Sequence, residues 1–270
     1  MVASQVPDIA PATLIQAVDK PSQTELGELL LEMGALLMAS GANTERIKVT
    51  IDRIASAFGC FAELLVTHHA LMMTLTYPDN HKVFTSVKWV PGMHLNFNLI
   101  ADISTMSWQI VLEKWPVERI SQELLALDRK PLYPRTVVLL LVALAGAAFC
   151  RLFGGNLTEM VAVFVASWCG LYVRQEAIKL KFNFYVAIFF AAATASLVAG
   201  SYFYLHPDEV YSHAFSTSVL FLIPGVPMIH AISDLLDGNT LNGVTRGVNV
   251  LIMAFAIALG LMVALLSYKF

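Results

Sequence analysis

The sequence predicts an α-helical polytopic membrane protein, with five transmembrane helices preceded by a small cytosolic α/β domain. Three observations predict it. Of the 270 residues, 57% are hydrophobic and only 14% charged, where a soluble domain carries roughly a quarter charged. Charge is unevenly placed: 14 of the 20 acidic residues lie before Lys130, and 10 of the 17 basic residues lie up to it. Beyond Tyr133 five long apolar runs follow one another, whereas short patterned segments precede it. The expected division is a flexible N-terminal tail over 1–21, a cytosolic α/β domain over 22–132 and a five-helix transmembrane domain over 133–270.

The elements follow in order. The start, "MVASQVPDIAPATLIQAVDKP", has no basic n-region and no apolar h-region, so it is read as a tail and not as a signal peptide. Ser22 can cap a helix carrying Leu26, Leu29, Leu30, Met33 and Leu37 at three- and four-residue spacing. "SGAN" ends it, and Asn43 caps the next helix, with Ile47, Ile51, Ile54 and Phe58 on one face. Three strand-like runs follow, "CFAELLVT", "ALMMTLTY" and "KVFTSVKWV", divided by turn-like "HH" and "PDNH". Helices over Leu95–Leu112 and Pro116–Leu127 close the domain, with Pro116 at a helix start.

The apolar runs are Thr136–Leu152, Leu157–Val173, Phe184–Leu205, Ala214–Leu236 and Gly247–Tyr268. A span needs roughly 20 apolar residues. The first two runs are separated by "FGGN" and should form a tight hairpin. With the α/β domain in the cytosol, the inner connections hold Arg129, Lys130, Arg135, Arg174, Lys179, Lys181 and Arg246, and the outer side holds Arg151 and Lys269. That asymmetry fits the positive-inside rule and puts the C-terminus outside. The loop "HPDEVYSH" lacks Lys and Arg and falls outside. Tyr133, Tyr172, Tyr202, Tyr204, Tyr211 and Tyr268 lie near span ends, as an aromatic belt requires. Small residues recur at four-residue spacing (Ala143/Ala147, Ala191/Ala195/Ala199, Ala192/Ser196/Gly200, Ala254/Ala258). In lipid such stripes let helices approach closely, although alanine is also simply common in spans.

The fourth run holds "LIPGVPMIHAISDLLDGN". Pro224 and Pro227 lack an N–H and clash with the preceding turn, and Gly225 permits conformations that other residues resist. A break over Ile223–Val226 is expected near the bilayer midplane, with a half-helix restarting near Pro227. A restarted helix offers unpaired N–H groups and a positive dipole end, which suit a carboxylate. The freed backbone must line protein or water. His230, Asp234 and Asp237 share one face of that half-helix. A mid-membrane charge costs ~2.5–3.5 kcal/mol on insertion scales. His230 and Asp234 are therefore candidates for a proton relay, Asp237 lies near the inner surface, and Arg246 is a candidate counter-charge or substrate contact. The plainer alternatives stay open: a simple kink, a packing histidine, and a helix end at Asp237–Gly238.

Arg151, Glu159 and Arg174 are secondary candidates. Glu159 equally suits the dipole at a span start, and Arg151 an interfacial anchor. Ser216, Thr217 and Ser218 could line a path or bond their own backbone. His68, His69 and His81 match no metal-ligand spacing, and no metal or cofactor is expected. Cys60, Cys150 and Cys169 are odd in number and contain no C-x-x-C, so reduced thiols are expected. The net charge of −3 and the lack of a basic stripe argue against nucleic acid. No G-x-S-x-G or comparable signature supports a hydrolase.

The stretches "ELLLEMGALLMASGANTERIKVTIDRIASAFG", "YPRTVVLLLVALAGAAFCRLFGGNLTEMVAVFVASWCGLYVRQ" and "FLIPGVPMIHAISDLLDGNTLNGVTRG" resemble the N-terminal half of the threonine/serine exporter family, in particular its YjjP-like, split-chain type. The resemblance covers about residues 24–268. It implies an exporter of the bacterial inner membrane and no enzyme activity. Long members carry a second multi-span half on the same chain. This chain stops after its fifth span, and the split-chain type works with a separate small membrane subunit, so an oligomer is expected. The resemblance implies a small carboxylate substrate, either a dicarboxylate such as succinate or threonine/serine, with proton coupling. A membrane-anchored sensor or scaffold with a ligand-binding cytosolic domain is the alternative.

Overall fold

The computed structural model describes residues 22–67, 69–78, 83–90, 92, 94–131, 133–205 and 213–268. The expected tail over 1–21, His68, His81, the loop 206–212 with Tyr211, and Lys269 lie outside the described residues. The protein is mostly helical with one three-stranded sheet. Its contacts form two compact units. One comprises the residues up to Pro131 with His230–Thr245, and the other Leu132–Ile229 with Arg246–Phe270. Residues 230–245, expected with the spans, are thus grouped with the N-terminal elements.

In the first unit, α1 (Gln23–Ala39) starts at a capping box. Ser22 Oγ accepts from the Glu25 amide, and the Glu25 carboxylate accepts from the Ser22 amide, both at 3.2 Å. Helix α2 (Thr44–Ala57) is capped by Asn43, whose side chain accepts from the Arg46 amide at 3.0 Å. Strands β1 (Phe61–Val66), β2 (Ala70–Thr76) and β3 (Val83–Trp89) form an antiparallel meander with Leu65 opposite Met72 and Met72 opposite Val87. Leu71, Met73 and Leu75 point into the core, while Phe61, Leu65, Val83, Val87 and Trp89 lie on the exposed side. Helix α1 packs on β2 and β3 so closely that a Cβ on Gly34 would come within 2.5 Å of Leu71. Helices α3 (Phe97–Glu113) and α4 (Val117–Asp128) complete the layer, and Pro116 is the residue just before α4. Arg53 bonds Ser107 at 2.7 Å and lies over the Trp108 ring at 3.9 Å, joining α2 to α3. Cys60 is a free, buried thiol donating to the Ala55 carbonyl at 3.1 Å, and burial pushes its pKa up to about 12.

In the second unit, α5 (Arg135–Leu152) and α6 (Leu157–Lys179) form the expected hairpin. Helix α6 runs six residues beyond Val173 because Arg174, Gln175, Glu176 and Lys179 are good helix formers that a search for apolar runs passes over. Arg135 bonds both Gln175 and Glu176, tying the start of α5 to the end of α6. Helix α7 (Phe184–Leu205) uses both of its small-residue stripes. A Cβ on Gly170 of α6 would come within 2.9 Å of Ala191 O and Ala195 Cβ. On the other stripe, a Cβ on Gly260 of α10 (Thr240–Tyr268) would come within 2.5 Å of Ala192 Cβ and 2.9 Å of Phe189 O. Ala191, Ala192, Ala195, Ser196 and Ala199 are fully buried. Ala254 and Ala258 are exposed, and α10 packs through Ala256, Ile257 and Gly260 instead.

Among the described residues, α5, α6, α7 and α10 are long and apolar enough to cross a membrane. A bent pair, His213–Leu222 and Gly225–Leu236, makes a fifth if it counts as one span.

Candidate functional site

The bent pair contains the proline–glycine break. Among the described residues, the part of the pair before it consists of α8 (His213–Thr217) and a single 3₁₀ turn over Leu220–Leu222. After it, α9 (Gly225–Leu236) leaves at 59°. The interruption falls at Ile223–Pro224, and α9 begins at Gly225, two residues earlier than the sequence suggests. Pro227 is therefore its third residue. The first-turn N–H groups of a helix have no intrahelical acceptor, so a proline there costs the helix no hydrogen bond. The first α-helical bond runs from the Met228 amide to the Pro224 carbonyl at 3.0 Å, and the Gly225 amide turns back to Ile223 O at 2.8 Å. Pro224, Gly225 and Pro227 are half-buried, and a Cβ built on Gly225 meets, among the described residues, no atom within 4 Å beyond its own stretch of chain. Gly225 thus has open space beside it.

His230, Asp234 and Asp237 follow on α9 and on the residue just after it. His230 is half-buried, Asp234 is 0% exposed, and Asp237 is exposed. Asp234 Oδ1 accepts from the Thr44 amide at 3.4 Å. Thr44 is the first residue of α2, so the carboxylate sits at a helix N-terminus, where the dipole favours negative charge. Beyond α9, Gly238 takes φ 78° and the chain turns into α10. Asn242 donates from its amide to Thr44 Oγ1 at 3.3 Å and to the Val66 carbonyl at 2.7 Å. Lys48 Nζ donates to Asn239 Oδ1 at 2.7 Å. Sequence reasoning missed Thr44, Lys48, Asn239 and Asn242. The two asparagines in "DGNTLNG" were the only signal, and nothing in the sequence pairs them with residues some 200 positions earlier.

Arg246 belongs to the second unit, half-buried on α10 one turn before Asn249, whose side chain accepts from the Tyr185 hydroxyl at 2.9 Å. The secondary candidates separate. Glu159 is 4% exposed. Its carboxylate accepts from the Asn156 amide in a capping box and from the His213 amide, each at 2.9 Å. Arg151 is exposed and donates to the Gly155 carbonyl at 3.2 Å, closing the α5–α6 turn. Arg174 is half-buried with its guanidinium 5.4 Å from the Phe184 ring centre. Thr217 and Ser218, the residue just after α8, donate to the His213 and Phe215 carbonyls of that short helix. Among the described residues no three His, Cys, Asp or Glu side chains cluster to hold a metal ion.

The chain matches the ThrE family model, "Putative threonine/serine exporter", over residues 28–268. It is 26% identical over 256 residues to a "Probable succinate transporter subunit YjjP" of Klebsiella aerogenes, covering 92% of this chain and 95% of that one. The protein of the same description in Escherichia coli K12 is 26% identical over 248 residues, 90% of this chain and 94% of the other. A "Threonine/serine exporter" of Corynebacterium glutamicum is 20% identical over 265 residues, 96% of this chain but 54% of that longer one. No solved structure matches.

Proposed function

The chain belongs to the threonine/serine exporter family, and from that premise we propose that it is one subunit of a secondary exporter of small carboxylate metabolites. The substrate is a dicarboxylate such as succinate, or threonine and serine, and a separate small membrane subunit completes the transporter. The complex works in the bacterial inner membrane, with the N-terminal residues in the cytoplasm and the C-terminus outside. The observation that carries this reading is the break at Ile223–Pro224 with open space beside Gly225. Donor groups at the start of a half-helix suit the carboxylate these substrates share. The path runs past Pro224, Gly225 and Pro227. His230 and Asp234 serve as a proton relay, Asp237 lies at the inner mouth, and Arg246 supplies a counter-charge or substrate contact.

The test is efflux from vesicles loaded with succinate, threonine or serine, made with and without a co-expressed small subunit. Efflux of one substrate class that needs both chains is expected, with at least a tenfold loss in the Pro224→Ala/Pro227→Ala variant. A His230→Ala/Asp234→Asn variant that inserts normally and exports at full rate removes the relay. Absence of efflux for all three substrates removes the exporter assignment.

A further inference from the structure

We propose that Thr44, Lys48, Asn239 and Asn242 form, with Asp234, a clasp that fixes the C-terminal part of α9, from His230 onward, against α2 and β1. The turn that joins α9 to α10 carries one half of the clasp, and the corner between the start of α2 and the end of β1 carries the other. All of these residues lie within the first unit.

Three features make this a specific device and not incidental packing. First, its centre is buried: Thr44 is 1%, Asp234 0% and Asn242 7% exposed, while Lys48 and Asn239 at its edge are half-buried. Buried polar groups that lose their partners carry the full cost of desolvation, so such a network stays closed once made. Second, its bonds take up backbone groups at element ends. The Thr44 amide is a first-turn donor of α2 and has no acceptor within its own helix. The Val66 carbonyl stands at the last residue of β1. Such groups need a partner when they are buried, and here side chains from α9 and α10 supply it. Third, the turn itself is tight. A Cβ on Gly243 would come within 2.6 Å of Leu235 Cγ and 2.9 Å of the Ala231 carbonyl, so α9 and α10 meet there almost backbone to backbone. Holding the turn therefore holds the C-terminal end of α9. Helix α9 runs unbroken from Asp234 back through His230 to Gly225. Residues 230–245, His230 among them, are grouped by their contacts with α2 and β1.

The clasp itself stands on this geometry alone. Its consequence for flux rests on the exporter reading, and the experiment separates the two. The full chain, with its partner subunit, is compared with Asn242→Ala by hydrogen exchange over peptides covering 40–48 and 230–245, and by efflux. The clasp predicts at least tenfold faster exchange in both peptides. It also predicts at least a fivefold lower maximal efflux rate with an unchanged KM. In the Asn242→Ala background, Lys48→Cys/Asn239→Cys is then bridged with a short thiol linker that reductant cleaves. Bridging should restore the efflux rate and reduction should lower it again in the same sample. Unchanged exchange in Asn242→Ala overturns the clasp, whatever the efflux assay reports. Altered exchange with a full efflux rate, or bridging that stops efflux, overturns the positioning role.

Discussion

Each of the two units packs around a different kind of side chain. The core of the first is built from large aliphatics: Leu26, Leu30, Met33, Leu37, Ile47, Ile51, Ile54, Leu71, Met73, Leu75, Ile103 and Ile110 are all fully buried there. At the centre of the second lie Ala191, Ala192, Ala195, Ser196 and Ala199, faced by Gly170 and Gly260. In water, burying a large side chain is the main source of stability. Between helices in lipid there is no such gain, because the tails are as apolar as leucine, and close backbone approach takes its place. The second unit accordingly turns its large residues outward, with Leu141, Leu152, Leu251, Phe255 and Leu266 exposed. The difference teaches that the apolar helices pack through small residues where the first unit packs through large ones.

The comparison can be broken from either side. In the first unit shrinking a side chain should do most harm. Ile51→Ala should cost about 2–5 kcal/mol, through lost burial and the cavity left behind. Chemical denaturation followed by hydrogen exchange in α2 measures it, and a loss under 1 kcal/mol would mean that this core is loosely packed. In the second unit enlargement should do the harm. Gly260→Ala drives a methyl against Ala192 and the Phe189 carbonyl and should cost about 1–3 kcal/mol. Gly247→Ala, on the same helix but with nothing within 4 Å, should gain up to about 1 kcal/mol from helix propensity. Thermal unfolding of the two variants in one detergent decides whether close approach, and not glycine as such, matters at position 260. The smallest effect is local: Ser22→Ala removes the α1 capping bond and should cost about 1 kcal/mol, read as faster exchange in the first turn of α1 alone.

Much of this was legible beforehand. Ser22 and Asn43 announced their helices because a cap is a local bond within three residues. The three strands fell within a residue of their patterned runs, and the apolar runs located the candidate spans. Pro224 marked the break, although Pro227 was harder to place, because a proline tolerated in a first turn looks in sequence like one that ends a helix. Asp234 was visible as a costly carboxylate, but its bond to the Thr44 amide was not.

The sequence by itself determined where helices, strands and the interruption lie, and that the later residues are too apolar for water. These follow from caps, periodicity and composition, which act over a few residues. Only the tertiary structure decided that residues 230–245 pack with α2 and β1, and which of the small-residue stripes are contacts. Ala191/Ala195 is one, and Ala254/Ala258 is not. Such pairings join residues up to 198 positions apart. Each depends on the shape and on the open hydrogen-bonding groups of a surface that exists only once the rest of the unit has formed.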